Sequence, residues 1–173
     1  AESAAGKSLP ENRIRIIRRD RKGRLWIGTS AAGLAVMDSV SGKITIYKHN
    51  PLSESSLPNN GVWSITEDAQ GTMWFGTTGG GFCRSDEKNN DFERIQPAQG
   101  EPGYFSNDPV LALYTGRDGR LWIGTAGGLK SFSPSERKFR DYSVNSEQSS
   151  GHSRNRVRSI YEDLNGIMWI GTD

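Results

Sequence analysis

One cysteine, Cys83, and two histidines, His49 and His152, are all that the 173 residues offer of the side chains that most often carry metals, thiol chemistry or neutral-pH proton transfer. A single thiol forms no internal disulfide and no CxxC pair. The two histidines stand in separate polar stretches, outside any HExxH pair, nucleophile elbow or metal-ligand spacing, so the plain reading is surface loop histidines. Charge of one sign is scarce as well: 22 basic against 20 acidic residues leave +2, too little for a global field that would favour nucleic acid. Long hydrophobic runs are missing. No stretch approaches the roughly 20 apolar residues of a membrane helix, and the opening AESAAGKSLPEN lacks the apolar core of a secretion signal. With 34% hydrophobic and 24% charged residues, the chain has the composition of one soluble domain. Any export signal or anchor is expected outside it.

What the sequence does have is internal repetition. Four segments superimpose, NRIRIIRRDRKGRLWIGT from Asn12, NGVWSITEDAQGTMWFGT from Asn60, DPVLALYTGRDGRLWIGT from Asp108 and NRVRSIYEDLNGIMWIGT from Asn155. Their tryptophans, Trp26, Trp74, Trp122 and Trp169, fall 48, 48 and 47 residues apart. A period near 48 with Gly and aromatic marks in every copy suits propeller blades of four strands each. The copies are rich in Val, Ile, Thr and aromatics and punctuated by Gly and Pro, which favours short strands over helices. The fold class is therefore all-β, with blades of four antiparallel strands and about 3.5 blades present in an incomplete ring. Residues 1–173 form one partial propeller with repeats near 9–56, 57–104, 105–152 and a truncated 153–173.

Within a repeat, strands 1 and 2 flank a tight turn. Asp20 to Gly23, Asp68 to Gly71 and Asp163 to Gly166 share one spacing, in which the Asp bonds the turn backbone and Gly supplies positive φ. Gly116 to Gly119 departs from it, with Asp118 moved beside the Gly, itself a hairpin signal. Each complete repeat ends in a long polar stretch, HNPLSESSLPNN, QPAQGEPGYFSN or VNSEQSSGHSRN. Such stretches are long enough to cross from the outer strand of one blade to the inner strand of the next, at about 4.8 Å per strand. Strand 1 is then innermost. Its apolar pairs Ile14/Ile17, Val62/Ile65, Val110/Leu113 and Val157/Ile160 are three apart, a spacing that puts partners on opposite faces of an ideal strand. In strand 2 the Trp and the Gly two positions on share a face. Gly28, Gly76, Gly124 and Gly171 are expected to admit a bulky ring of the neighbouring blade, and all four Trp to be buried between blades. The basic cluster from Arg13 to Arg24, interleaved with Ile14, Ile16 and Ile17, reads as a solvated strand edge.

The string V-x-S-I-x-E-D-x-x-G-x-M-W-I-G-T, from Val157 to Thr172, closely resembles the two-component regulator propeller repeat, and four copies extend the resemblance over about residues 9–173. The resemblance implies the extracytoplasmic sensor region of a bacterial receptor, commonly a hybrid histidine kinase or diguanylate cyclase, on the periplasmic or extracellular side of the membrane. It also implies blades beyond those counted here. About 14 strands close no conventional ring, so the chain reads as part of a longer polypeptide, the rival being that open edges of two chains pair.

The expected function is ligand sensing, with an oligosaccharide or other small ligand as partner; the alternative is a protein-interaction or structural scaffold. No catalytic residue, metal or cofactor is expected. The glycine runs Gly79 to Gly81 and Gly127 to Gly128 precede no helix and read as turns. Long crossings and 2-to-3 turns share one end of the blades, where variable residues on a rigid scaffold carry recognition. Asn12, Asn60, Asp108 and Asn155 recur before strand 1 and read as turn residues. The position after the first apolar residue of strand 1 varies instead: Arg15, Trp63, Leu111, Arg158. Trp63, Tyr104 and Phe105 are candidates for stacking on sugar rings, and Arg15 and Arg158 for binding carboxylate or sulfate, against the plainer reading that they pack loops.

Overall fold

The computed structural model describes residues 2–6, 8–88, 91–97, 108–142 and 156–173. These contain no helix. The first blade is β2 (Ile14–Arg19), β3 (Leu25–Thr29), β4 (Leu34–Met37) and β5 (Ile44–Tyr47); the second is β6 (Val62–Glu67), β7 (Met73–Thr77), β8 (Phe82–Asp86) and β9 (Asp91–Ile95). The third is β10 (Val110–Thr115), β11 (Leu121–Thr125), β12 (Gly128–Ser133) and β13 (Lys138–Asp141), and β14 (Val157–Glu162) with β15 (Met168–Thr172) begins a fourth. Every blade is an antiparallel meander in chain order. A further strand not signalled by the repeat, β1 (Glu2–Gly6), pairs with the outer edge of β5, with an irregular register between Ser3 and Gly6. An edge strand carries unpaired backbone groups, and Glu2–Gly6 supplies a partner for them.

Each 1-to-2 hairpin is built as the spacing demands. Gly23, Gly71, Gly119 and Gly166 have φ of 84°, 84°, 80° and 81°. Asp20 Oδ1 accepts the Arg24 N–H at 2.8 Å, Asp68 Oδ1 accepts that of Thr72 at 2.8 Å, and Asp163 Oδ1 that of Ile167 at 3.0 Å. The same carboxylates reach further than the sequence suggests. The indole Nε1 of Trp26, Trp74 and Trp169 donates to Asp20, Asp68 and Asp163 Oδ2 at 2.8, 2.8 and 3.0 Å. Each Asp thus ties its own turn to the tryptophan six residues on. In the third blade Gly116 stands in the Asp place, and a Cβ there would lie 3.1 Å from Trp122 Nε1, so the turn forms without this link.

Blades pack through their inner strands, and two expectations change. The strand 2 glycine admits no ring: a Cβ on Gly76 would meet Val110 Cγ1 at 2.5 Å, one on Gly28 the Val62 carbonyl at 2.7 Å, and one on Gly124 the Val157 Cγ1 at 2.7 Å. It is the first Val of the following blade that seats there. Nor do the paired apolar residues of strand 1 face opposite ways. A register shift lies between Val62 and Ser64 and recurs in all four inner strands. The bulge absorbs one residue and resets the alternation, so Val62 and Ile65 both join the cluster of Trp26 and Phe75 that fills the first inter-blade space. Ser64 and Thr66 face the other way, toward the third blade, where Ser64 Oγ donates to the Val110 carbonyl at 3.2 Å and Thr66 meets Thr115 hydroxyl to hydroxyl at 3.2 Å.

The tryptophans also divide. Trp26 and Trp74 are 4% and 1% exposed, Trp122 is half-buried, and Trp169 is 60% exposed. The two buried rings lean on the following blade: Trp26 on Phe75 at 5.1 Å between centroids, Trp74 on Phe132 at 6.1 Å. Trp122 has the two strands of the fourth sheet beyond it among the described residues and stacks on Tyr142 of its own blade at 5.3 Å. The face of β15 receives no following sheet among the described residues.

Candidate functional site

The end of the blades that carries the crossings is organised by side chain to backbone bonds. Arg94, on β9, donates to the carbonyls of Ser53, Ser56 and Leu57 and to Ser56 Oγ at 2.8 to 3.2 Å, so that the outer strand of the second blade holds the crossing that enters it. Beneath the crossing lies Cys83, whose thiol is pushed up from its ordinary pKa by full burial, with the Arg94 charge acting weakly the other way. His49 stands with Nδ1 2.8 Å from the Leu57 carbonyl, which can only accept, so this nitrogen carries the proton and the ring is part of the loop scaffold. His152 lies outside the described residues. Asn60 accepts the His49 N–H at 2.8 Å through its side chain and the Gly33 N–H at 2.9 Å through its carbonyl, the turn role expected of it. Glu11 caps the first 2-to-3 turn, with Oε2 accepting Ala31 and Ala32 N–H at 2.9 and 3.2 Å.

Within this frame Arg15, Trp63, Leu111 and Arg158 each occupy the bulge of an inner strand. Bulges re-aim side chains and are frequent beside functional sites. No sequence signal marked them, because an extra residue in a strand has no composition of its own. The four positions do not behave alike. Leu111 is 9% exposed and packs. Arg158, with Nε and Nη2 2.7 and 3.0 Å from the two carboxylate oxygens of Asp173, is forked onto an internal partner, and the bonds from Arg158 hold the Asp173 carboxyl below its ordinary pKa. Arg15 projects across the first inter-blade gap, its guanidinium carbon 4.4 Å above the Trp63 ring centroid and its Nε 2.8 Å from Ser30 Oγ. Ser30 and Asp173 occupy equivalent places, each directly after the Gly-Thr that ends strand 2. The indole Nε1 of Trp63 is buried with no hydrogen-bond partner. Tyr104 and Phe105 lie outside the described residues.

The structure thus brings Arg15 and Trp63 into one unit and sets Arg158 apart in its own ion pair. The face of Trp63 toward Arg15 is covered by the guanidinium, so stacking on a sugar from that side requires Arg15 to move. Asp20, Asp68 and Asp163 are hairpin anchors, not carboxylates aimed at a ligand. Among the described residues no three His, Cys, Asp or Glu side chains are grouped to hold a metal, and no helix is long and apolar enough to cross a membrane.

Comparisons with known proteins point one way. The model of the two component regulator propeller family matches residues 8–31, 56–79, 104–127 and 151–173, more than half of the chain. Among solved structures, the extracellular domain of a protein described as a hybrid two component system, BT3049 from B. thetaiotaomicron, superposes with a TM-score of 0.79 at 27% identity over 95% of this chain and 22% of that one. That of BT4673 from the same organism, at a TM-score of 0.74 and 24% identity over 95% of this chain and 21% of its own, shows the same fold. PorZ of the type-IX secretion system of Porphyromonas gingivalis shares it too, at a TM-score of 0.67 and 16% identity over 92% of this chain and 24% of PorZ. The chain spans between a fifth and a quarter of the length of these solved chains. No curated protein matches it in sequence.

Proposed function

Because the chain belongs to the two-component regulator propeller family, we propose that it is part of a ligand-sensing propeller of a bacterial membrane receptor, exposed on the periplasmic or extracellular side, with an oligosaccharide as the ligand class and no catalysis of its own. The likeness to the extracellular domain of BT3049 supports the sensor role. The observation that carries the ligand reading is the contrast at the bulge: the four repeats share the residues that pack blades, yet the bulge position near the crossing end reads Arg, Trp, Leu and Arg. A position under packing constraint alone would carry one kind of side chain. The output of the receptor, kinase or cyclase, belongs to the whole protein.

The test is an oligosaccharide array probed with the full-length protein that carries residues 1–173, followed by calorimetry on the hits with wild type and Trp63→Ala. Binding that weakens roughly tenfold or more with little change in melting temperature supports the proposal. Capture of a protein domain with no saccharide bound would replace it by the scaffold reading.

A further inference from the structure

Resting on that reading, we propose that Arg15 and Trp63 form a subsite for an oxyanion on the ligand, a carboxylate or a sulfate. Three relationships support it. The first is the state of Arg15. Its only side-chain hydrogen bond among the described residues runs from Nε to Ser30 Oγ at 2.8 Å, so the Nη edge of the fork meets no acceptor among them. A guanidinium presents its donors in a plane that matches two oxygens of one anion.

The second relationship is the copy of this position in the fourth sheet. Arg158 occupies the same bulge, and what fills its fork there is a carboxylate, Asp173, bound through Nε and Nη2. The chain itself therefore displays the guest that an arginine at this bulge accepts. In the first blade the residue in the Asp173 place is Ser30, whose single oxygen holds Nε and supplies no charge. The bulge, the arginine and the anchor on Nε are in place, and the anion is the component that the repeat does not provide.

The third relationship is Trp63. Its ring centroid lies 4.4 Å from the guanidinium carbon, a cation–π contact that restrains the side chain before any ligand arrives and so lowers the ordering cost of binding. Its own indole N–H is buried and meets no acceptor among the described residues, an arrangement that folded proteins avoid and that calls for an explanation such as a bound group. Arg15 itself is exposed, so an anion can approach it from solvent.

The experiment compares neutral, uronate-bearing and sulfated oligosaccharides on the full-length protein, in wild type, Arg15→Ala, Arg15→Lys and Ser30→Asp. Ser30→Asp is the informative variant, because it installs in the first blade the carboxylate that the fourth sheet already has. Expected are hits among the acidic probes, weakened roughly tenfold to a hundredfold by Arg15→Ala and by Ser30→Asp and rescued only in part by Arg15→Lys, with melting temperature little changed in Ser30→Asp. Hits confined to uronates or to sulfates identify the group bound. Binding of neutral probes alone, or acidic binding indifferent to both Arg15→Ala and Ser30→Asp, overturns the subsite and leaves the sensor reading standing. Absence of any saccharide binding removes both. Should Arg15→Ala fail to fold, the Ser30→Asp result decides.

Discussion

The indole N–H of Trp74 donates to Asp68 Oδ2 at 2.8 Å, joining the floor of one hairpin to the ring that fills the space between two blades. Trp74 is 1% exposed and Asp68 7%, so neither partner can turn to water when the other is lost. Trp74→Ala is expected to cost about 3 to 5 kcal/mol through the cavity left behind, and Asp68→Ala about 1 to 3 kcal/mol through the orphaned indole and turn donors. In residues 1–173 taken alone, Trp169→Ala, at a ring 60% exposed, is expected to cost well under half of the Trp74 value. Denaturant unfolding of the three variants checks this; equal losses at Trp74 and Trp169 would contradict the packing described.

The third blade lacks this link because Gly116 replaces the Asp, and the gap can be filled. Gly116→Asp combined with Asp118→Gln puts a carboxylate at the place of Asp68 and an amide at that of Gln70, and removes a carboxylate that would crowd the new one. A gain of about 1 kcal/mol is expected from one added charge-assisted bond to the Trp122 indole. A loss in the double variant would show that the half-buried Trp122 ring does not hold its N–H toward the turn.

Gly76→Ala drives a methyl into Val110 Cγ1, 2.5 Å from the ideal Cβ position, and into Ser64 Oγ at 2.2 Å. Overpacking of this kind costs about 1 to 3 kcal/mol. Val110→Ala opens room on the far side, so the double variant should be less destabilised than the sum of the two single changes, a coupling that thermal unfolding of all four proteins measures. Strict additivity would mean that the clash is relieved within the second blade.

Acid should weaken the first hairpin through Asp20. Burial opposes ionisation of Asp20, yet hydrogen bonds from Trp26 and Arg24 outweigh it and hold the carboxyl below its ordinary value of 3.8. A depressed folded pKa stabilises the fold at pH above the ordinary value, and that contribution disappears as pH falls through the folded one. The melting temperature of the wild type should therefore drop below about pH 4 more steeply than that of Asp20→Asn, which has no proton to gain. Parallel curves for the two proteins between pH 2 and 6 would show that Asp20 does not titrate with folding.

The repeat alone was enough to establish the architecture. Four copies of one strand, turn and strand pattern, with long polar stretches at fixed intervals, admit a propeller blade and little else, because each blade solves the same local problem with the same residues. Turn residues were legible for the same reason: Asp68 and Gly71 act on their own hairpin, within a few positions of chain. Relationships between blades were not legible. That Val110 rather than a ring seats on Gly76, that Val62 and Ile65 share a face, and that Arg15 lies over Trp63 depend on a bulge whose extra residue shifts every side chain after it and on strands 48 residues apart. The sequence determined which positions vary at the crossing end. Only the tertiary structure decided which of them have internal partners, because Arg15 and Arg158 are the same residue in the same bulge and differ in whether the chain places a serine or an aspartate within reach.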